Sequence, residues 1–323
     1  MNVSTWEYSK DTELKRIIYT AHQIVIGFYK ANNFIVLPSN PNAKGLGVVI
    51  FPELEYNKIS RFWEVARKVD INFPIETEEK HLQNIQSIMS ESELIPNFEK
   101  TKNLWLKAEA GVIREIYKVI PDLEEIKKLI IYPTKYGTSS SFEYLNDNGE
   151  LIIYLREDQG IHAIVEAIIT SLTREGIYEK LNGLWQESEI ITDYLVTQTS
   201  IAKVLQKYES ADSYTPTLKG TRAKQQAKLL QESNEFYKRL GIPTFEKPFG
   251  YNGLIPELFG KPVQNLTDTE KKVLLNLIRN SNIVTEIDDI GNIMFKSEEN
   301  FSLYAISKTI QRLRDKLEAN GIS

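Results

Sequence analysis

His162 and Glu166 stand four residues apart in the stretch GIHAIVEAII (160–169), inside an otherwise apolar helical pattern. Four residues is slightly more than one helical turn, so the two side chains share a face. Ile161, Val165, Ile168 and Leu172 occupy another face, and a helix apolar on nearly every side is a buried helix. A buried carboxylate must find a cation, a metal or a hydrogen-bond donor, or surrender its charge. His162 is one such donor, so a hydrogen-bonded core pair is the plain reading and a pair of metal ligands the chemical one. The stretch WQESEIITDYL repeats the arrangement, with Glu189 and Asp193 at i and i+4 and Ile190, Ile191 and Leu195 beside them. The other two His of the chain, His22 and His81, sit in helical patterns without a partner pattern nearby and read as structural.

The elements that must position these residues follow from the same periodicities. FEKTKNLWLKAEAGVIREIYKVIP predicts a long helix closed by Pro121. IKKLIIYPTKY, GTSSSFEYL and ELIIYLRED predict three strands, the last two separated by the hairpin residues Asp147, Asn148 and Gly149. The helix carrying His162 is expected from Gln159 to Thr173, with a break at Gly176, and the helix carrying Glu189 from Trp185 to Lys207. Upstream, the pattern predicts one helix over Asp11–Asn32, then two short strands around a Pro/Asn/Gly turn in FIVLPSNPNAKGLGVVIFPEL. Amphipathic helices follow at ISRFWEVARKV and TEEKHLQNIQSIM, and another at RAKQQAKLLQESNEFYKRLG. Between Lys203 and Lys247 the chain carries nine Lys and Arg against five Asp and Glu, the balance of an ordinary solvated helix face.

Two consecutive helices with polar pairs in one register resemble the gluzincin metallopeptidases. Their first helix carries H-E-x-x-H and a later one E-x-x-x-D. The resemblance covers roughly residues 98–240 and places His162 on the first metal ligand, Glu166 on the second and Glu189 on the third. Asp193 falls on the group that orients a ligand from behind. GTSSSFEYL and ELIIYLRED fall on the family's edge strand and central strand, leading into the active-site helix. Ala163, however, stands where the family has the carboxylate that takes a proton from metal-bound water. One His and two carboxylates also make a harder, less zinc-like set than two His and one Glu. The resemblance thus implies a peptidase scaffold without peptidase chemistry and no cofactor, a divalent metal such as zinc on the vestigial set being the alternative.

Composition narrows the function classes. The chain has 323 residues, a net charge of −5 and no Cys, which excludes disulfides, thiolate zinc sites and cysteine nucleophiles. Bulk charge does not favour a polyanion, so any contact with nucleic acid needs a local basic patch. The start MNVSTWEYSKDTELKRI does not read as a signal peptide and no apolar run is long enough for a membrane helix, so a cytoplasmic protein with no membrane partner is expected.

Such a patch occurs near the C-terminus. LTDTEKKVLLNLIRNSN opens with Thr267 and Glu270 at capping-box spacing. SLYAISKTIQRLRDKLEANG predicts a helix whose core stripe is Leu303, Ile306, Ile310, Leu313 and Leu317. Lys308, Gln311, Arg312, Arg314 and Lys316 project elsewhere, and Ser302–Asn320 holds four basic residues against two acidic ones. Leu266, Thr267, Glu270, Leu274 and Leu275 at the start, with Arg312, Leu313, Arg314, Lys316 and Leu317 at the end, resemble the winged-helix effector domain of OmpR-type response regulators. That resemblance implies double-stranded DNA as partner, cations on phosphates, and Gln or Arg on base edges. Residues 266–323 as a whole carry eight basic and nine acidic side chains, and the family's β-hairpin wing would begin at ANGIS, so a domain lacking its final wing is expected.

The expected architecture is therefore an α+β multidomain chain. Residues 1–95 form an N-terminal α+β region of unknown role, and 96–250 a zincin-like domain in which a small mixed sheet packs on helices. Residues 251–265 form a Pro/Gly-rich linker and 266–323 a winged helix-turn-helix. The expected function is a transcriptional regulator whose inactive peptidase-like cleft senses a ligand, peptide or protein partner. A metal-dependent hydrolase with a His/Glu/Glu site, using the winged helix for docking, is the alternative.

Overall fold

The computed structural model describes residues 4–32, 34–39, 48–68, 89–90, 94–121, 123–143, 147–181, 183, 185–209, 227–242, 249–258, 261–281, 283–295 and 302–319. The fold is mixed α and β with small sheets, and it divides into two units. The first comprises Met1–Val25 and Asn33–Pro243, the second Ile26–Asn32 and Thr244–Ser323.

In the first unit, strands β1 (Ser4–Trp6), β4 (Lys128–Thr134), β5 (Ser140–Glu143) and β6 (Glu150–Arg156) form one sheet in the order β1-β4-β6-β5. β1, β4 and β6 run parallel, and β5 closes one edge antiparallel to β6. GTSSSFEYL thus supplies an edge strand and ELIIYLRED an interior one. Among the described residues a second sheet consists of β2 (Ile35–Leu37) and β3 (Val48–Ile50), which pair parallel and not as the two arms of a turn. β1 pairs with a strand more than a hundred residues away, and the Ser4 amide donates to the Glu109 carboxylate at 2.7 Å. Ser4–Trp6, from the N-terminal region left without a role by the sequence, thus forms an edge strand of this sheet.

Helix α1 (Lys10–Val25) ends earlier than the pattern predicts, because Gly27 adopts a left-handed φ of 84° before a separate turn, α2 (Phe28–Ala31). α3 (Ser60–Lys68) meets α1 where buried His22 donates from Nδ1 to the carbonyl of Ala66 at 2.6 Å, a structural role as expected. His81 and most of TEEKHLQNIQSIM lie outside the described residues.

The core around the site has a simple origin. Along β6, Leu151, Ile153 and Leu155 alternate onto one face by the period of two. Against them lie Trp105, Ala108, Val112 and Ile116 of α4 (Glu99–Val119) and Ile161, Ile164, Val165 and Ile168 of α5 (Ile161–Leu181). α5 runs through Gly176 without the expected break. The following helix is two helices, α6 (Trp185–Gln198) and α7 (Ser200–Leu205), divided where Thr199 turns extended and its hydroxyl caps Ile201. α8 (Ala227–Leu240) packs beside β2 and ends at Gly241.

In the second unit, the segment expected as a linker carries most of a three-stranded antiparallel sheet: β7 (Phe249–Asn252), β8 (Ile255–Leu258) and β9 (Lys261–Pro262). Gly253, with φ 62°, is the first residue of the two-residue turn Gly253-Leu254 between β7 and β8, a position where a left-handed φ favours glycine. Three helices follow: α9 (Asp268–Arg279), α10 (Ile287–Met294) and α11 (Leu303–Ala319). The Thr267–Glu270 capping box forms as predicted. Val273, Leu274, Leu275, Ile290, Ile306 and Leu313 are buried in this unit, but Leu303, expected in the core stripe, is 60% exposed.

Candidate functional site

Glu209, four residues beyond the end of the short α7, reaches back to the N-terminus of α5. Its Oε1 accepts from the Ile161 amide at 2.7 Å and its Oε2 from the His162 amide at 3.3 Å. His162 Nδ1 lies 3.0 Å from the same Oε2, with both side chains about nine-tenths buried. A carboxylate at a helix N-terminus gains from the unpaired amides and from the helix dipole. Burial pushes the Glu209 carboxyl up, but the bond and charge of His162 and the two backbone amides outweigh it and hold the group below the usual range. Gly160 makes this contact possible, because a Cβ there would lie 2.0 Å from Oε1. His162 thus has a carboxylate partner 47 residues downstream.

The polar positions of α5 continue past Glu166 as a ladder at i, i+4 spacing: His162, Glu166, Thr170 and Arg174. Glu166 is half-buried. Thr170 Oγ1 lies 3.2 Å from Thr192 Oγ1 on α6. Arg174 donates from Nη2 to Glu189 Oε1 at 2.6 Å and from Nε to Ser188 Oγ at 3.4 Å, and its guanidinium lies 5.6 Å from the Phe142 ring centre. Later residues of α5 meet earlier residues of α6, so the two helices are antiparallel, and two short threonines fix their register. Glu189 comes three residues before Thr192 and therefore stands level with a position three residues after Thr170. That is about 10 Å along the axis beyond Glu166, at 1.5 Å per residue.

The side chains of the metal reading have the following partners. Glu189, the resemblance's third ligand, is held by a guanidinium about two turns from Glu166, and His162 Nδ1 is held by Glu209. Asp193 is buried on α6, near the level of residue 169 of α5. Among the described residues, no three His, Cys, Asp or Glu side chains come together in a way that can hold a metal. Ala163 lies in the apolar core.

On α11, Lys308, Gln311, Arg312 and Arg314 are exposed. Lys316 is half-buried and turns to Glu270, its Nζ 2.7 Å from Oε2, while Arg312 Nε lies 3.8 Å from Oε1. Burial pushes the 1% exposed Glu270 carboxyl up, but Lys316 and Thr267 hold it below its usual range. Glu270 therefore does two jobs, closing the start of α9 and tying α11 to it. Gln311 donates to Asp315 at 2.8 Å, and Lys308 Nζ sits 5.9 Å from the Tyr304 ring centre. The exposed arc includes Tyr304 and Leu303, at 73% and 60% exposure, which the periodic reading did not count among candidate contacts.

Sequence reasoning passed over Glu209 and Arg174. Arg174 was signalled by its i+4 step from Thr170, and Glu209 only indirectly, by the glycine at the mouth of α5. No protein-family model, curated protein or solved structure matches the chain. No helix among the described residues is long and apolar enough to cross a membrane.

Proposed function

We propose that the chain is a DNA-binding transcriptional regulator in which the first unit, a peptidase-like scaffold without catalysis, senses a ligand or partner and the second reads duplex DNA. The observation that carries this reading is the exposed arc of α11, where Lys308, Gln311, Arg312 and Arg314 face solvent on a helix anchored through Glu270 and Lys316. A helix of this kind, with cations flanking an amide side chain, suits the major groove: the cations take phosphates and the amide a base edge. The likeness of residues 266–317 to OmpR-type effector domains supports the same assignment. For the first unit, the non-catalytic reading is supported by buried Ala163 and by Glu189 bound to Arg174.

The test is affinity capture of genomic fragments by the full chain, followed by sequencing. A shared motif is expected, and it should be lost when Lys308→Ala and Arg314→Ala are combined. Recovery indistinguishable from the input library refutes the reading.

A further inference from the structure

Leu254 and Val284, 75% and 82% exposed, are the most exposed large apolar side chains among the described residues of the second unit. They belong to one surface built from two segments. Tyr251, Leu254 and Ile255 stand at the tip of the β7–β8 hairpin, and Ile283, Val284 and Ile287 in the turn into α10, all half exposed or more. Arg279, the last residue of α9, joins them: its Nη2 lies 3.4 Å from the Gly253 carbonyl oxygen and its guanidinium 5.0 Å from the Tyr251 ring centre. The Ile283 amide donates to the Asn280 carbonyl at 2.8 Å, a turn that keeps the second segment within about 7 Å of the helix end. Single exposed apolar side chains are ordinary, but a patch of six is a contact surface. Together they expose on the order of 600 Å², near the roughly 800 Å² that each partner gives to a stable interface.

Charge is laid along this surface with opposite signs at its two ends. Arg279 is exposed at the hairpin end. Glu286, Asp288 and Asp289 are exposed at the α10 end, and no Lys or Arg occurs from Asn280 to Phe295. Capping accounts for Glu286 and Asp289, each of which accepts from the other's backbone amide at the start of α10, but not for Asp288. A twofold axis through such a surface sets the hairpin end of one copy on the α10 end of the other, so opposite charges meet on both sides of an apolar centre. We infer that two copies of the chain pair here about a twofold axis, with Leu254 and Val284 at the centre and Arg279 of each copy on Asp288 of the other. The inference is independent of the DNA-binding reading, and its test contains no nucleic acid.

The test is sedimentation of the full chain over about 1–100 µM, where a reversible monomer–dimer equilibrium is expected. Leu254→Ser combined with Val284→Ser should weaken it by about tenfold or more, and both side chains are solvated in the single chain, so the fold is not at stake. Arg279→Glu and Asp288→Arg should each weaken it by about fivefold or more, and the chain carrying both should dimerise like the wild type. A wild-type chain that stays monomeric throughout overturns the inference and leaves the surface to a different protein. Dimerisation that the two serines leave unchanged places the contact elsewhere and overturns it too. Charge reversals that do not cancel when combined refute the twofold pairing of Arg279 with Asp288.

Discussion

Replacing Gly160 by Ala places a methyl group 2.0 Å from the present position of Glu209 Oε1, closer than any real contact. The carboxylate ends a flexible side chain, so the expected response is that Glu209 swings out and the backbone stays. The cost is then what Glu209 contributes: an N-cap worth about 1 kcal/mol, and a partner for buried His162 whose loss costs about 1–3 kcal/mol. Gly160 does not lie in the left-handed region, so the alanine itself is tolerated and returns about 0.4–1 kcal/mol through the unfolded chain. Gly160→Ala should therefore destabilise the first unit by about 2 kcal/mol in the wild-type background, and be neutral or slightly stabilising in a Glu209→Ala background. The predicted coupling is about 2 kcal/mol. All four tryptophans (Trp6, Trp63, Trp105 and Trp185) belong to the first unit, so urea unfolding followed by their fluorescence reports on it selectively. Additive effects, within about 0.5 kcal/mol, would refute the idea that the glycine exists to admit the carboxylate.

Two further outcomes follow from the same interior. Arg174→Met leaves Glu189 beside an apolar chain; with both partners about one-fifth exposed the loss should be near 1–2 kcal/mol, and saturating zinc should neither restore it nor raise the wild-type unfolding midpoint. Burial pushes Glu13 up to about 8 against bonds from the Lys135 and Tyr136 amides, so this carboxyl is protonated in the fold at neutral pH. The unfolded chain binds that proton less tightly, so its contribution is full below about pH 4.5 and falls away as pH rises to about 8. Glu13→Gln should flatten this part of the stability–pH curve, and an unchanged slope would contradict the assignment.

What the sequence disclosed and withheld divides along physical lines. Periodicity within one segment placed α4, β4, β5, β6 and the Thr267–Glu270 box, because local spacing decides them. It also put His162 with Glu166, and Glu189 with Asp193, on shared faces. It did not reveal how those faces meet: the α5–α6 register is set by the Thr170–Thr192 contact and the Arg174–Glu189 pair, which no i, i+4 rule contains. Glu209 was hidden by its distance along the chain, and β1 by its three-residue length. The Pro and Gly content of 251–265 gave the segment the look of a linker and hid its hairpin. Leu303 shows the opposite limit, since a stripe ignores whether the end of a helix extends past its support.

Whether the second unit binds duplex DNA through α11 is decided by the salt dependence of full-chain binding, with Lys308→Ala plus Arg314→Ala as the comparison. The logarithm of affinity should fall linearly with the logarithm of salt concentration, and the slope should shrink by about 2 in the double variant, close to one phosphate contact per cation removed. A wild-type chain that shows no binding at low salt, or a slope that the two substitutions leave unchanged, would contradict the assignment.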